Sequence, residues 1–250
     1  MASIFSLVTA VYDGGQTYLR EAYESVRRQR TKLPAGWELE WVIQEDGTSG
    51  VPAKTLPHDQ WITTGMARRG GAGVARTTAL SRAHGELVRT LDADDLLTDG
   101  AIARDIETMA AHPSIGWCIS AGIDLLPDGS TRPGPYDPPN GPLSYQDLLA
   151  AYDRDLFPVL GTHITVRTPL LLALGGWSAL PAWETVAIVL RCAAVSTGHM
   201  ISQPGGFYRK HPQQTTADPT YAEAVGVSGL RTTVRAQAEA LRLTGWRWDR

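Results

Sequence analysis

Val88-Arg89-Thr90-Leu91-Asp92-Ala93-Asp94-Asp95 is the stretch around which the rest of the chain is arranged. Val88 to Leu91 predicts a short strand that runs into three carboxylates set around one small residue. Side chains alternate along an extended backbone, so Asp92 and Asp94 project to the same side if strand geometry persists that far. Two converging carboxylates repel each other unless a cation lies between them. Mg²⁺ or Mn²⁺ suits such a pair, because these ions take one or two protein oxygens and complete their shell with phosphates and water. The octet therefore reads either as a metal–diphosphate site or as a solvated acidic turn, with Thr98 or Asp99 capping the following helix.

The flanking sequence alternates between strand and helix. Ile4 to Val11 reads as a buried strand ending in the turn Tyr12-Asp13-Gly14-Gly15, and from Thr17 the apolar spacing becomes helical through Tyr18, Leu19, Ala22, Tyr23 and Val26. Leu39 to Gln44 predicts a second strand, followed by the polar loop Glu45-Asp46-Gly47-Thr48-Ser49-Gly50. Strand, helix and strand in succession imply parallel pairing, and ligands of such sheets gather beyond the carboxyl ends of the strands. The loops at Tyr12, Asp46 and Asp92 should therefore share one crevice. Arg68-Arg69-Gly70-Gly71-Ala72-Gly73-Val74-Ala75-Arg76 opens a helix expected to reach about His84. It reads as a phosphate cradle of free amides and cationic side chains, or as a simple turn.

Beyond the octet, helix is expected over 98–111, strand over 115–121, and a Pro- and Gly-dense surface excursion over 126–142 that would act as a flap over the site. Ser144 and Asp147 predict a capped short helix through about Tyr152. A strand over 162–166, helices over 169–174 and 184–195, and a helix from Pro219 to Leu243 complete the reading. The tail Trp246-Arg247-Trp248 and the helix before it offer a surface for a second subunit.

The 250 residues, 43% hydrophobic and 20% charged, describe an ordinary globular protein. A net charge of −3 supplies no footprint for nucleic acid. No apolar run approaches the roughly 18 residues of a membrane span, and Met1 to Phe5 has no signal-peptide pattern, so a cytoplasmic location is expected. Cys118 and Cys192 are too few and too far apart for a zinc site or a disulfide framework, and read as buried small hydrophobes.

The order of these motifs resembles the family 2 glycosyltransferases with the GT-A fold. Ser6 to Asp13, Ser25-Val26-x-x-Gln29, Glu45-Asp46-Gly47-Thr48, Gly70 to Arg76, Ala83-His84-Gly85-Glu86, Leu91 to Asp95, Gly175-Gly176-Trp177 and Tyr208-Arg209-Lys210-His211 follow the family's sequence over about residues 4–216. The resemblance implies a single α/β domain of GT-A type, with a Rossmann-like, mostly parallel sheet flanked by helices. It divides into a nucleotide-sugar half over 1–121, an acceptor half over 122–216 and a C-terminal helical extension over 217–250.

It also implies a metal-dependent, inverting transfer of a sugar from a nucleoside-diphosphate sugar to a small-molecule, saccharide or peptide acceptor. Asp94 and His211 would serve the metal, Mn²⁺ or Mg²⁺. Asp92 would face the ribose or the metal, Asp46 the base, and Tyr12 would stack on that base. Ala10, Ala93, the Gly70-Gly71 backbone and Arg76 would line the nucleotide sugar. One departure stands out: the family's Glu-Asp pair, whose Asp is the general base, reads Glu184-Thr185 here. A threonine hydroxyl takes no proton at neutral pH. Glu184 beside Trp183, a carboxylate from Asp153 or Asp155, or an acceptor needing little help are the open accounts. A nucleotide-sugar-binding protein without turnover, or a nucleotidyltransferase, are the alternatives in function.

Overall fold

The computed structural model describes residues 2–134, 137–217, 219–226 and 228–249, with backbone alone for 220, 222, 224, 225 and 228. Among the described residues ten strands form one sheet: β1 (Ser3–Val11), β2 (Trp37–Asp46), β3 (Ile62–Ala67), β4 (Leu87–Thr90), β5 (Leu96–Leu97), β6 (Trp117–Leu125), β7 (Thr131–Pro133), β8 (Gly141–Leu143), β9 (Ile164–Arg167) and β10 (Gly198–Arg209). The main path runs β3-β2-β1-β4-β9-β6-β10-β5, with β7 on β6 and β8 on β10. Pairing is parallel from β3 to β4 and again between β6 and β10, while β9 lies antiparallel between β4 and β6. The sheet is thus mostly parallel among its long strands, as the alternation of elements requires.

Nine helices flank it among the described residues: α1 (Leu19–Gln29), α2 (Val51–Lys54), α3 (Ala72–Ala79), α4 (Ala101–Ala111), α5 (Tyr145–Asp153), α6 (Thr168–Ala173), α7 (Glu184–Val195), α8 (Pro219–Gly226) and α9 (Ser228–Leu243). The alternation of β1 shows how they divide. Phe5, Leu7 and Val11 pack with Leu19, Ala22 and Val26 of α1 and Ile102 and Ile106 of α4 on one face. Val8 joins Ile188, Leu190 and Leu170 on the other. Trp41 and Trp117, both fully buried, fill opposite layers, and Cys118 and Cys192 are buried as expected.

Several boundaries differ from the sequence reading. Neither Thr98 nor Asp99 caps α4: the cap is Gly100 in a left-handed conformation, φ 66°. The Thr98 hydroxyl donates instead to Pro204 O at 2.5 Å, and Asp99 pairs with Lys32. The cause is β5, which keeps the chain extended against β10 past the acidic loop. The helix from Ala72 ends at Ala79 and tightens into a 3-10 turn over Leu80–Arg82, short of His84.

The excursion over 126–142 is stitched to the sheet by β7 and β8, not hung above it as a flap. Pro135 and Tyr136 lie outside the described residues. The expected helix over 219–243 is two helices, with Val227 outside the description. The apolar face of α9 is already covered within the chain: Val234 and Ala238 are fully buried in the core that includes α7, and Trp248 N–H donates to Val195 O at 2.8 Å. That face is therefore covered within the chain, while Leu243 and Trp246 remain exposed. No helix of the described residues is long and apolar enough to cross a membrane.

Candidate active site

β1, β2 and β4 run parallel, so their carboxyl ends and the loops after them open at one edge. The β2 end is held by its own acids. Glu45, 3% exposed, accepts from Ser49 N–H, Ser49 hydroxyl and Gly50 N–H at 2.7–2.9 Å, closing the loop into a compact turn. Asp46 reaches across to the glycine turn and accepts from Gly70 N–H at 2.6 Å and Gly71 N–H at 3.1 Å. Those two amides, expected to face a diphosphate, are thus engaged by Asp46. Arg69 links the neighbouring loops, 4.0 Å from Asp46 and with its guanidinium over the half-exposed Tyr12 ring. Ala10 lies in β1 opposite Gln44, and Ala93 is turned into the core, which leaves its backbone as the part able to meet a ligand.

After β4 the chain turns sharply, Asp95 N–H donating to Asp92 O at 3.2 Å. The three carboxylates then take different partners. Asp92 Oδ1 receives Arg76 NH2 at 2.5 Å, and Arg76 NH1 reaches Glu184 Oε1 at 2.6 Å. Asp94 Oδ2 meets His211 Nε2 at 2.9 Å across 117 residues of sequence. Asp95, 1% exposed, accepts Arg209 N–H at 2.9 Å on Oδ1, while its Oδ2 is buried without a partner.

Burial, with Asp94 adding to it, holds the Asp92 carboxyl above its usual value despite the pull of Arg76. Burial and the fields of Asp92 and Asp94 push Asp95 well up. Burial works against the charge of Arg76, but the two carboxylates outweigh it and hold the guanidinium above its ordinary value. Arg76, Asp92 and Glu184 are thus brought together in one cluster, and Asp94 and His211 in another. Glu184 lies in an ion pair rather than in an apolar setting beside Trp183. Asp153 and Asp155 are tied to Arg235 and Arg231 of α9.

The remainder of the site was not singled out from sequence. Arg209 donates from Nε to Asp94 O at 2.8 Å and from NH2 to Glu21 at 2.7 Å, and its guanidinium lies 4.3 Å from the Tyr18 ring centroid. Tyr18 in turn packs on His211 with ring centroids 4.9 Å apart. Arg209 belonged to a quoted motif, but the signal for its role is a contact with the start of the chain that local spacing does not carry. Tyr221, from α8, shares a hydrogen bond with the Trp183 backbone; burial, followed by the charge of Glu184, raises its hydroxyl to about 12. Thr185 packs on Gly161, where an added Cβ would come within 2.7 Å of its backbone.

Asp94 and His211 provide a carboxylate oxygen and an imidazole nitrogen converging on one point, a donor set that fits a divalent cation. No group of three His, Cys, Asp or Glu converges among the described residues, so phosphate and water oxygens would supply the rest of the shell.

A parallel half with an acidic loop at its strand ends, continued by a half entered through an antiparallel strand, defines a GT-A glycosyltransferase fold. The sequence pattern of Glycosyl transferase family 2 matches residues 6–133, about half of the chain, and the chain belongs to that family. The O-antigen biosynthesis protein RfbC of Myxococcus xanthus is 27% identical over 253 residues, covering 95% of this chain but 18% of that protein. The chain thus spans about a fifth of its relative. Two crystal structures of S. aureus TarS residues 1–349 share the fold. The complex with UDP-GlcNAc has TM-score 0.68 at 16% identity over 97% of this chain and 70% of that one. The complex with UDP has TM-score 0.65 at 17% identity over 85% and 61%.

Proposed function

We propose that the chain transfers a sugar, with inversion, from a nucleoside-diphosphate sugar to a hydroxyl-bearing acceptor, and that Asp94 and His211 hold a divalent cation for the donor. The observation that carries the reading is the 2.9 Å approach of Asp94 Oδ2 to His211 Nε2 at the edge where β1, β2 and β4 end. TarS structures holding UDP and UDP-GlcNAc make uridine diphosphate the first donor nucleotide to test. A bound divalent cation would supply positive charge to the leaving diphosphate.

The rest is assigned to the chain's own groups. Tyr12 offers a ring face for the base, and Asp46 holds the glycine turn against the loop that carries it. Arg209 and Tyr18 fix the backbone and ring that set Asp94 and His211. Glu184 keeps Oε1 on Arg76, and we assign its second oxygen as the general base. In the step itself, the acceptor oxygen bonds to the anomeric carbon as the bond from that carbon to the diphosphate breaks. The acceptor proton passes to Glu184 and the nucleoside diphosphate leaves.

Asp94→Asn tests the reading. Transfer is expected to fall by on the order of 100-fold or more, and Mn²⁺-dependent binding of uridine diphosphate, followed by calorimetry, should be lost. Undiminished turnover would remove this pair from the mechanism. Wild-type protein that binds the nucleotide but transfers no sugar across an acceptor panel would identify a binding protein instead.

A further inference from the structure

We infer that Arg76 is a positioning residue that couples the acidic loop to the helix bearing Glu184, and that it does not bind the diphosphate. The inference rests on the transfer reading above and deepens it. Arg76 is 3% exposed, and both of its terminal nitrogens are engaged, NH2 by Asp92 at 2.5 Å and NH1 by Glu184 at 2.6 Å. Its Nε is buried as well and the side chain as a whole is 4% exposed, so no donor of this side chain faces open solvent as a free phosphate hook. A phosphate reaching the guanidinium would have to displace one of two carboxylates already at hydrogen-bond distance, against the charge of both.

The helix carrying Arg76 is clamped to the same segment by its neighbours on one face. A Cβ on Gly73 would lie 2.1 Å from Ser178 O and 3.2 Å from Glu184 Cβ, so the two backbones approach as only glycine allows. Thr77 hydroxyl donates to Trp177 O and accepts from Trp177 N–H, both at 2.9 Å. Positions 73, 76 and 77 are the i, i+3 and i+4 of one helical stripe. Glu184 itself follows Trp183, a non-glycine residue at φ 64°, a conformation that persists where the surroundings hold it. The planar fork of Arg76 thus sets the donor-side Asp92 and the acceptor-side Glu184 at one fixed separation.

The test combines Arg76→Gln, Arg76→Lys, Glu184→Gln and the double variant Arg76→Gln/Glu184→Gln, each checked for folding by thermal melt. The Kd for uridine diphosphate with Mn²⁺ should stay within about threefold in Arg76→Gln, while kcat falls on the order of 100-fold, as for a misplaced catalytic group. In the Glu184→Gln background the Arg76 change should cost less than about threefold more. Amide exchange over 184–188 should accelerate, with that of α1 unchanged.

Arg76→Lys, which keeps the charge but lacks the fork, should recover the melt and leave kcat low; it also carries the test if the glutamine variant does not fold. A Kd raised tenfold or more in either variant, and by as much when Asp92→Asn is already present, would make Arg76 a phosphate ligand. Losses that multiply in the double variant would separate it from Glu184. Either result overturns the inference while leaving transfer intact, whereas wild-type protein without transfer defeats the underlying reading. In that event the Kd and exchange measurements still decide whether Arg76 is a phosphate ligand or a strut.

Discussion

Three aspartates occupy four successive positions, and each is dealt with differently. Asp92 has Arg76, Asp94 has His211, and Asp95 has one backbone N–H and a bare buried oxygen. Burial and its two neighbours raise the Asp95 carboxyl well above its usual range, so the folded chain binds this proton more tightly than the unfolded chain does. A raised carboxyl favours the fold at low pH and opposes it as pH climbs from about 4 through the folded value. Asp95→Asn keeps an oxygen for the Arg209 N–H and removes the titration. It should raise Tm at pH 8 by about 2–4 °C, corresponding to about 1 kcal/mol, with the gain shrinking towards pH 4. Melts in chelator, which keep any cation from Asp94, are the measurement; a gain independent of pH would show that Asp95 is not the titrating group.

Helix and strand ends depend on a few local bonds. Ser144 caps α5 as its spacing from Asp147 predicts, its hydroxyl accepting Asp147 N–H at 3.4 Å. Ser144→Ala should therefore cost about 1 kcal/mol, read as a lower urea midpoint with unchanged m. α7 begins and ends where its pattern predicts, at Glu184 and Val195. β10 was not legible to the same degree. Its twelve residues contain Pro204-Gly205-Gly206, which breaks any apolar alternation, yet register shifts against β6 let the strand pass through. Gly205 is required there, since a Cβ would fall 1.9 Å from Ser120 Oγ. β3 was missed as well, because Ile62–Ala67 mixes half-buried and exposed positions at the edge of the sheet, without an apolar run.

The two halves of the sheet meet around one buried ion pair. Arg89 of β4 and Asp105 of α4 are 0% and 1% exposed and 2.5 Å apart; Thr165 of β9, Ser120 of β6 and the Gly205 carbonyl of β10 complete the network. Asp105→Ala strands the arginine and should cost about 3–5 kcal/mol. The double change Arg89→Met/Asp105→Leu should recover most of that in the same urea titration. Failure of the double variant to recover would mean that packing, not the uncompensated charge, sets the cost.

Local pattern determined the alternation of strand and helix, the acidic turn and the core face of the first helix, because period-two and period-3.6 burial is written into neighbouring residues. The helix boundary at Val195 and the serine cap at Ser144 belong to the same kind of information. The partners within the site were decided by tertiary structure alone. Arg76 reads as a helix residue until Glu184 arrives from 108 positions away, and Arg209 as part of a basic run until it meets Asp94, Asp95 and Glu21. Gly70 and Gly71 look like free amides until Asp46 claims them. Charge pairing depends on distance in space, and that distance exists only once the parallel strands have stacked their carboxyl ends side by side.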